Sequence, residues 1–290
     1  MSDRLFARST RDRPAWYISP SDITNLAASP IGRGGFGEVL TGTYFGSKVA
    51  IKRLLGSYNN RELAEYNHEI DIWKHLSHPN ILPLLGACDK DDDSQVSPFM
   101  VSPFMANGTL RKYVSDNTVT VEDKLRLLYQ VASGLAYLHG RRIVHGDLKA
   151  ANVLLDNSFN AVVADFGLSS TKHTSASFNR TRIHRPDGGT EGYMAPEMFD
   201  EDDPSGSSLK TDVYSFAITM YEVLNDSKPV WVTANGQAMK PAQILSQIFQ
   251  NKRPKRLDGV PDDIWLLIES CWAQEPADRP SFSEILAVLE

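Results

Sequence analysis

The chain has 290 residues and a formal net charge of -6. That length buries a sizeable core and suits one large or two-lobed domain. The acidic balance argues against nucleic acid or acidic lipid as the main partner, although a local basic patch would survive such an average. Two cysteines, Cys88 and Cys271, are too few for a disulfide framework or a zinc site and point to a reducing compartment, the cytoplasm. No apolar stretch approaches bilayer length, and the opening "MSDRLFARSTRDRP" has no apolar signal core, so no membrane segment is expected.

Residues 1 to 20 are polar and read as a leader packed loosely on the rest of the chain. Next comes a Gly-, Val- and Thr-rich strand region, "ASPIGRGGFGEVLTGTYFGSKVAIKRL". In "SYNNRELAEYNHEIDIWKHL", the apolar residues Leu63, Tyr66, Ile70, Trp73 and Leu76 recur at helical spacing, which predicts a helix ending before "SHPN". "ILPLLGACDKDDDSQVSPFMVSPF" reads as two strands around an acidic turn. After "ANGT" the pattern becomes helical: Thr120 with Asp123 makes a capping box, and Leu125, Leu128, Ala132, Leu135 and His139 share a face. From 208 onward almost every periodic segment reads as helix, with Ser281 and Glu284 as another cap pair. The chain is therefore strand-rich to about 105 and helix-rich after it. It divides into an N-lobe over 21–102, a connection near 103–108 and a C-lobe over 109–290, an α+β fold of two lobes. The longest expected loop is 166–190.

Four stretches carry chemistry. In "GRGGFGEV", Gly32, Gly34 and Gly37 are spaced so that backbone N–H groups approach phosphate oxygens with no Cβ in the way. A dinucleotide fold needs a helix next, and a P-loop needs Gly-Lys-Ser/Thr. Here β-prone residues come next, so the loop is expected to join two antiparallel strands as a lid. Alone, such a glycine run is a common turn.

In "KVAIKRL", Lys52 shares a strand face with Ala50, opposite Val49 and Ile51, and would reach beneath the lid as a point charge for phosphate. Its anionic partner could be Glu62, Glu65 or Glu69 of the next helix. A lone strand lysine is usually solvated surface; one at this distance after a glycine loop is not.

In "HGDLKAAN", Asp147 and Asn152 bracket Lys149, and "VVADFGLS" puts Asp165 at the end of a Val-rich strand. Mg²⁺ takes hard oxygen ligands, a carboxylate or two plus phosphate. Asp165 and the carbonyl oxygen of Asn152 offer these. Asp147 is then free to accept a proton from an incoming hydroxyl, while Lys149 stabilises charge on a transferring phosphoryl group. Any one of these residues alone is more simply a turn former or a cap. All of them in this order behind a glycine loop and a lysine are not.

These motifs, with "APE" coming after them in order, make the chain similar to the protein kinase catalytic domain from about Asn25 to Glu290. The resemblance implies ATP and Mg²⁺, with Mn²⁺ as an alternative metal, and a protein substrate. It implies that Lys52 contacts the α- and β-phosphates and that Glu69 is its partner. Asp147 would be the catalytic base, Asn152 and Asp165 the metal ligands. Glu197 would pair with Arg279, and Asp212 would hold the catalytic loop from a buried helix. Val39 and Ala50 would lie above adenine and Leu154 below it. Ser102 would be an unusually small gatekeeper, with the Pro103 carbonyl and the Met105 N–H facing adenine. His145, Phe166, Trp73 and Leu84 would stack in a spine, Trp73 being larger than the usual aliphatic residue.

Lys149 and Thr190 resemble serine/threonine kinases, and "DVYSFAITMYEVL" with "CWAQEPADRPSF" resembles the tyrosine-kinase-like branch, whose members mostly phosphorylate Ser or Thr. Tyrosine or dual specificity is the alternative on substrate. A pseudokinase scaffold is the alternative on activity, and it should have lost one of Lys52, Glu69, Asp147, Asn152 or Asp165. A small-molecule kinase fits less well with the intact "APE" and "RPSF". With 20 residues before this region, the chain is expected to carry no regulatory domain of its own.

One departure stands out. Kinases of this kind mostly place an arginine before the catalytic Asp, where it pairs with a phosphate on the activation segment. Gly146 makes no such pair. Thr171, Thr174, Ser175, Ser177 and Thr181 remain candidate acceptors, with a second copy of the chain as a possible trans-autophosphorylation partner. Arg180, Arg182 and Arg185 could hold a phosphate locally or form a solvated basic loop. Activity is expected to depend only weakly on phosphorylation there.

Overall fold

The computed structural model describes residues 13–34, 37–54, 60–88, 97–165, 170–171, 191–199 and 206–290. Expectations that fall on Phe166, Gly167, Thr174, Ser175, Ser177, Arg180, Thr181, Arg182, Arg185 and Thr190, and on the side chains of Glu62 and Thr171, lie outside the described residues. The fold is α+β and divides into two compact units, residues 1–76 with 83–104, and residues 77–82 with 105–290.

The first unit is an antiparallel sheet with one long helix. Strand β1 spans Ile23–Thr24, β2 Gly32–Gly34, β3 Gly37–Tyr44 and β4 Ser47–Arg53; helix α1 spans Asn60–Trp73; β5 spans Gly86–Cys88 and β6 Phe99–Pro103. The strand order is β1-β3-β4-β6-β5, with β2 also paired to β3. Alternation decides the faces. Leu40, Val49, Ile51 and Val101 point into a core shared with Ile18, Cys88 and Phe99. Tyr66, Ile70 and Trp73 of α1 are buried, and Tyr66 donates its hydroxyl to the Cys88 carbonyl at 2.8 Å. The helix stops at Trp73, earlier than the apolar spacing predicts. Leu76 is carried in a tight turn instead, its N–H bonded to the Trp73 carbonyl at 3.0 Å.

The leader is not loosely packed throughout. The Ala87 N–H donates to the Trp16 carbonyl at 2.9 Å, and the Ile18 N–H donates to the Ala87 carbonyl at 2.8 Å. These bonds pair Trp16–Ile18 with β5, and Ile18 is only 2% exposed. The polar composition of residues 1–20 concealed one apolar residue with a core position, and an exposed strand edge with unpaired backbone groups holds the segment there.

The second unit is mostly helical. Helix α2 spans Leu110–Asp116 and α3 Val121–Gly140; strands β7 Ile143–Val144, β8 Val153–Leu155, β9 Ala161–Val163 and β10 Ser170–Thr171 come next; then come α4 Leu209–Leu224, α5 Pro241–Phe249, α6 Asp262–Cys271 and α7 Phe282–Leu289. Helix starts have local reasons. Thr120 accepts the Asp123 N–H at 3.1 Å and donates its hydroxyl to the Asp123 carboxylate at 2.8 Å, a cap without the return bond to the Thr120 backbone N–H that the expected capping box has. Ser281 and Glu284 form a full capping box. Residues 211–224 of α4 are all buried, the mark of a helix at the centre of a core. Among the described residues no helix is long and apolar enough to cross a membrane.

Candidate functional site

In the first unit, β2 and β3 form the hairpin that the glycine run implies, with Gly32 opposite Val39 and Gly34 opposite Gly37. Strand register then sets one face. Val39 lies opposite Lys52, Thr41 opposite Ala50, Ala50 opposite Ser102 and Lys52 opposite Met100. Val39, Ala50, Lys52 and Ser102 therefore share a face, and Pro103 closes β6 opposite Val49. Ser102 is 6% exposed. The Lys52 ammonium reaches the Glu69 carboxylate at 2.7 Å, and Glu69 is buried on α1. A charge-assisted bond of that length holds a long, flexible side chain in one position.

In the second unit, a short loop runs from β7 to β8. Asp212, 1% exposed on α4, accepts the His145 N–H at 2.8 Å and the Gly146 N–H at 2.9 Å. The same carboxylate meets the His139 Nε2 at 2.8 Å. His145 donates from Nε2 to the Ala164 carbonyl at 3.0 Å, which leaves Nδ1 to accept the Asp147 N–H at 3.2 Å. Gly146 has φ +82°, a conformation that costs glycine little and other residues more.

Between these anchors stands Asp147. Lys149 Nζ lies 2.9 Å from its Oδ2, and Asn152 donates Nδ2 to both Oδ2 at 2.9 Å and the Asp147 carbonyl at 2.7 Å. With its amide nitrogen so committed, Asn152 presents its carbonyl oxygen as the remaining acceptor. Pairing of β8 with β9, and the Ala164 N–H on the Asn152 backbone carbonyl at 2.9 Å, bring Asp165 to the same end of the hairpin as Asn152. Asp165 is exposed with φ +64°, strained for a residue other than glycine. Leu154 is half-buried on β8, and the Met105 carbonyl accepts the Gly108 N–H at 3.2 Å.

Sequence reasoning missed three members of this unit. Glu222, 1% exposed on α4, accepts the Ala150 N–H at 3.2 Å and the Arg111 Nε at 2.6 Å. Arg111 also lies 3.4 Å from the Tyr193 hydroxyl. Burial, and then the Glu222 carboxylate, pushes the Tyr193 phenol above its ordinary value, so it stays protonated. Helix α4 thus grips the loop on both sides of Asp147, with Asp212 before it and Glu222 after it. The signal available was a charge inside the apolar run "FAITMYEVL", since a buried charge must be paired. Farther along, the Arg279 guanidinium, 1% exposed, forks onto Glu197 at 2.6 and 2.8 Å.

A glycine hairpin and a lysine–glutamate pair in the first unit, and a carboxylate held by lysine and asparagine in the second, resemble the parts that phosphotransferases use on nucleotide phosphates. Residues 26–289 match the profile of the family described as protein tyrosine and serine/threonine kinase, and the chain belongs to that family. It is 35% identical to the probable serine/threonine-protein kinase drkD of Dictyostelium discoideum over 95% of this chain and 20% of that protein. It is 33% identical to the serine/threonine-protein kinase CTR1 of Arabidopsis thaliana, over 89% of this chain and 30% of that protein. It is 35% identical to the receptor-interacting serine/threonine-protein kinase 2 of Bos taurus, over 84% of this chain and 46% of that protein. The chain thus spans less than half the length of each of these three relatives.

Proposed function

We propose that the chain transfers the γ-phosphoryl group of ATP to Ser or Thr hydroxyls of protein substrates. The observation that carries this reading is the Asp147 carboxylate, held by Lys149 and Asn152 in a loop whose backbone is bound by Asp212. A carboxylate so oriented accepts the proton of an incoming hydroxyl, and Lys149 beside it offsets negative charge on the transferring group. The glycine hairpin, through Gly32, Gly34 and Gly37, covers the phosphates, and Lys52, steadied by Glu69, binds them. Val39, Ala50, Ser102, Pro103, Met105 and Leu154 receive the adenine.

One carboxylate and one carboxamide oxygen at the same hairpin end suit a hard cation that completes its shell with phosphate and water. Asn152 and Asp165 would hold Mg²⁺, or Mn²⁺, which supplies charge neutralisation for the phosphates when bound. Thr190 and Lys149 together favour Ser/Thr over Tyr acceptors. The similarity to relatives named as serine/threonine kinases supports the same choice. Both cysteines are free and buried, which suits the reducing cytoplasm. A second copy of the chain is the partner for phosphorylation of residues in 166–190.

The test is phosphate incorporation from radiolabelled ATP into the protein and into a Ser/Thr peptide library, followed by phosphoamino-acid analysis. Asp147→Asn should leave ATP affinity nearly unchanged and lower kcat by about a hundredfold or more. Metal-dependent ATP binding with no transfer would instead identify a nucleotide-binding scaffold, and phosphotyrosine among the products would overturn the Ser/Thr assignment.

A further inference from the structure

Glu38 comes directly after Gly37, the last of the three spaced glycines, yet its surroundings differ from those of its neighbours. In register it stands opposite Arg33 on β2 and opposite Arg53 on β4. It is only 4% exposed. Arg53 reaches its Oε1 with Nη2 at 2.6 Å and Nε at 2.8 Å, and Arg33 Nε lies 3.5 Å from Oε2. Alternation along β3 puts Glu38 on the side of Leu40, the core face, whereas Val39 faces the other way with Lys52. Glu38 therefore cannot touch a ligand lying on the Lys52 face. Gly37 brings the backbones together at the same point: its φ is +139°, and a Cβ there would collide with the Arg53 carbonyl oxygen.

We propose that Glu38 is a positioning residue that locks the glycine hairpin to the strand bearing Lys52, and so sets the affinity for ATP phosphates rather than the rate of transfer. This rests on the reading of the hairpin and Lys52 as a phosphate site. Strand β2 has three residues and pairs with β3, so the hairpin is held to β4 through β3, whose paired stretch ends at Glu38 opposite Arg53. Glu38 adds two short charge-assisted contacts to Arg53, at 2.6 and 2.8 Å, that are lost whenever the hairpin lifts from β4. The two arginines contribute unequally. The Arg33 side chain is 71% exposed and 3.5 Å away, a surface pair of little worth, whereas Arg53 is 39% exposed and makes two short contacts. Arg53 also adjoins Lys52 in sequence, so the same contact ties the lid to the phosphate-binding lysine.

The experiment is steady-state transfer with Mg·ATP varied, together with equilibrium ATP binding, on the 290-residue chain and its variants Glu38→Gln, Arg53→Ala, Arg53→Lys and Arg33→Ala. Glu38→Gln and Arg53→Ala should raise KM and Kd for ATP about five- to tenfold with kcat within about twofold. Arg53→Lys should recover most of the loss, Arg33→Ala should show a smaller rise than Arg53→Ala, and the Glu38→Gln/Arg53→Ala double variant should be no worse than its worse parent. Arg53→Ala alters a partly exposed side chain and keeps the test decisive if Glu38→Gln fails to fold. ATP affinity unchanged in folded Arg53→Ala, or a loss confined to kcat, would overturn the role of Glu38 while leaving the phosphate site intact. A wild-type chain that binds no ATP would overturn the phosphate site and this role with it.

Discussion

The Asp212 carboxylate and the Gly146 backbone N–H lie 2.9 Å apart, and that bond holds Gly146 at φ +82° one residue before Asp147. The position accepts glycine freely and costs another residue about 1–2 kcal/mol. Backbone pairing of β10 with β7, Ser170 opposite Val144, also anchors the start of the next segment. Gly146→Arg should therefore fail to raise the activity of the unphosphorylated protein. Phosphatase treatment of the wild type, checked by mass spectrometry, should change kcat/KM for one peptide by less than about threefold. A hundredfold fall that disappears when Thr171, Thr174, Ser175, Ser177 and Thr181 are all alanine would show that another basic group serves a phosphate there.

Glu222 holds the far side of the same loop through the Ala150 N–H and is neutralised by Arg111. Glu222→Gln preserves its size but places an amide against a guanidinium. We expect kcat to fall about tenfold or more with KM for ATP little changed, because the Asp147 geometry is disturbed and the first unit is not. Equal losses in kcat and in thermal stability for Glu222→Gln and for a remote core variant of matched stability would assign Glu222 to folding alone.

Arg279 is buried against Glu197, whose side chain is 20% exposed. Arg279→Met removes one partner of this pair and should cost about 3–5 kcal/mol in urea unfolding. Arg279→Met combined with Glu197→Gln should cost less than the two single changes summed, since the uncompensated charge is then absent.

Ser102 shares the Val39, Ala50 and Lys52 face and is nearly fully buried. Ser102→Phe should weaken bulky ATP-competitive inhibitors by about tenfold or more while raising KM for ATP less than about threefold. Equal loss for both would place the adenine contact elsewhere.

What the sequence by itself determined is what rests on neighbours a few residues apart. The Val49–Lys52 alternation put Lys52 on the face of Ala50, because side chains of a strand point to opposite sides in turn. The Ser281–Glu284 cap and the Thr120 cap were legible for the same reason, since the groups they satisfy lie within one helical turn. Ordered motifs pointed to a nucleotide phosphate chemistry, and resemblance selected Glu69 among three glutamates. Spacing alone left that choice open. Only the tertiary structure decided that Glu222 meets Arg111 and Ala150, residues far apart in the chain, because which buried charge finds which partner depends on helix packing. It also decided that Trp16–Ile18 pair with β5, since a polar leader carries no sign of the edge it will cover. The two arginines around Glu38 were visible in the sequence as charges and invisible as partners. Their pairing depends on strand register, where a slip of one residue turns a side chain to the opposite face.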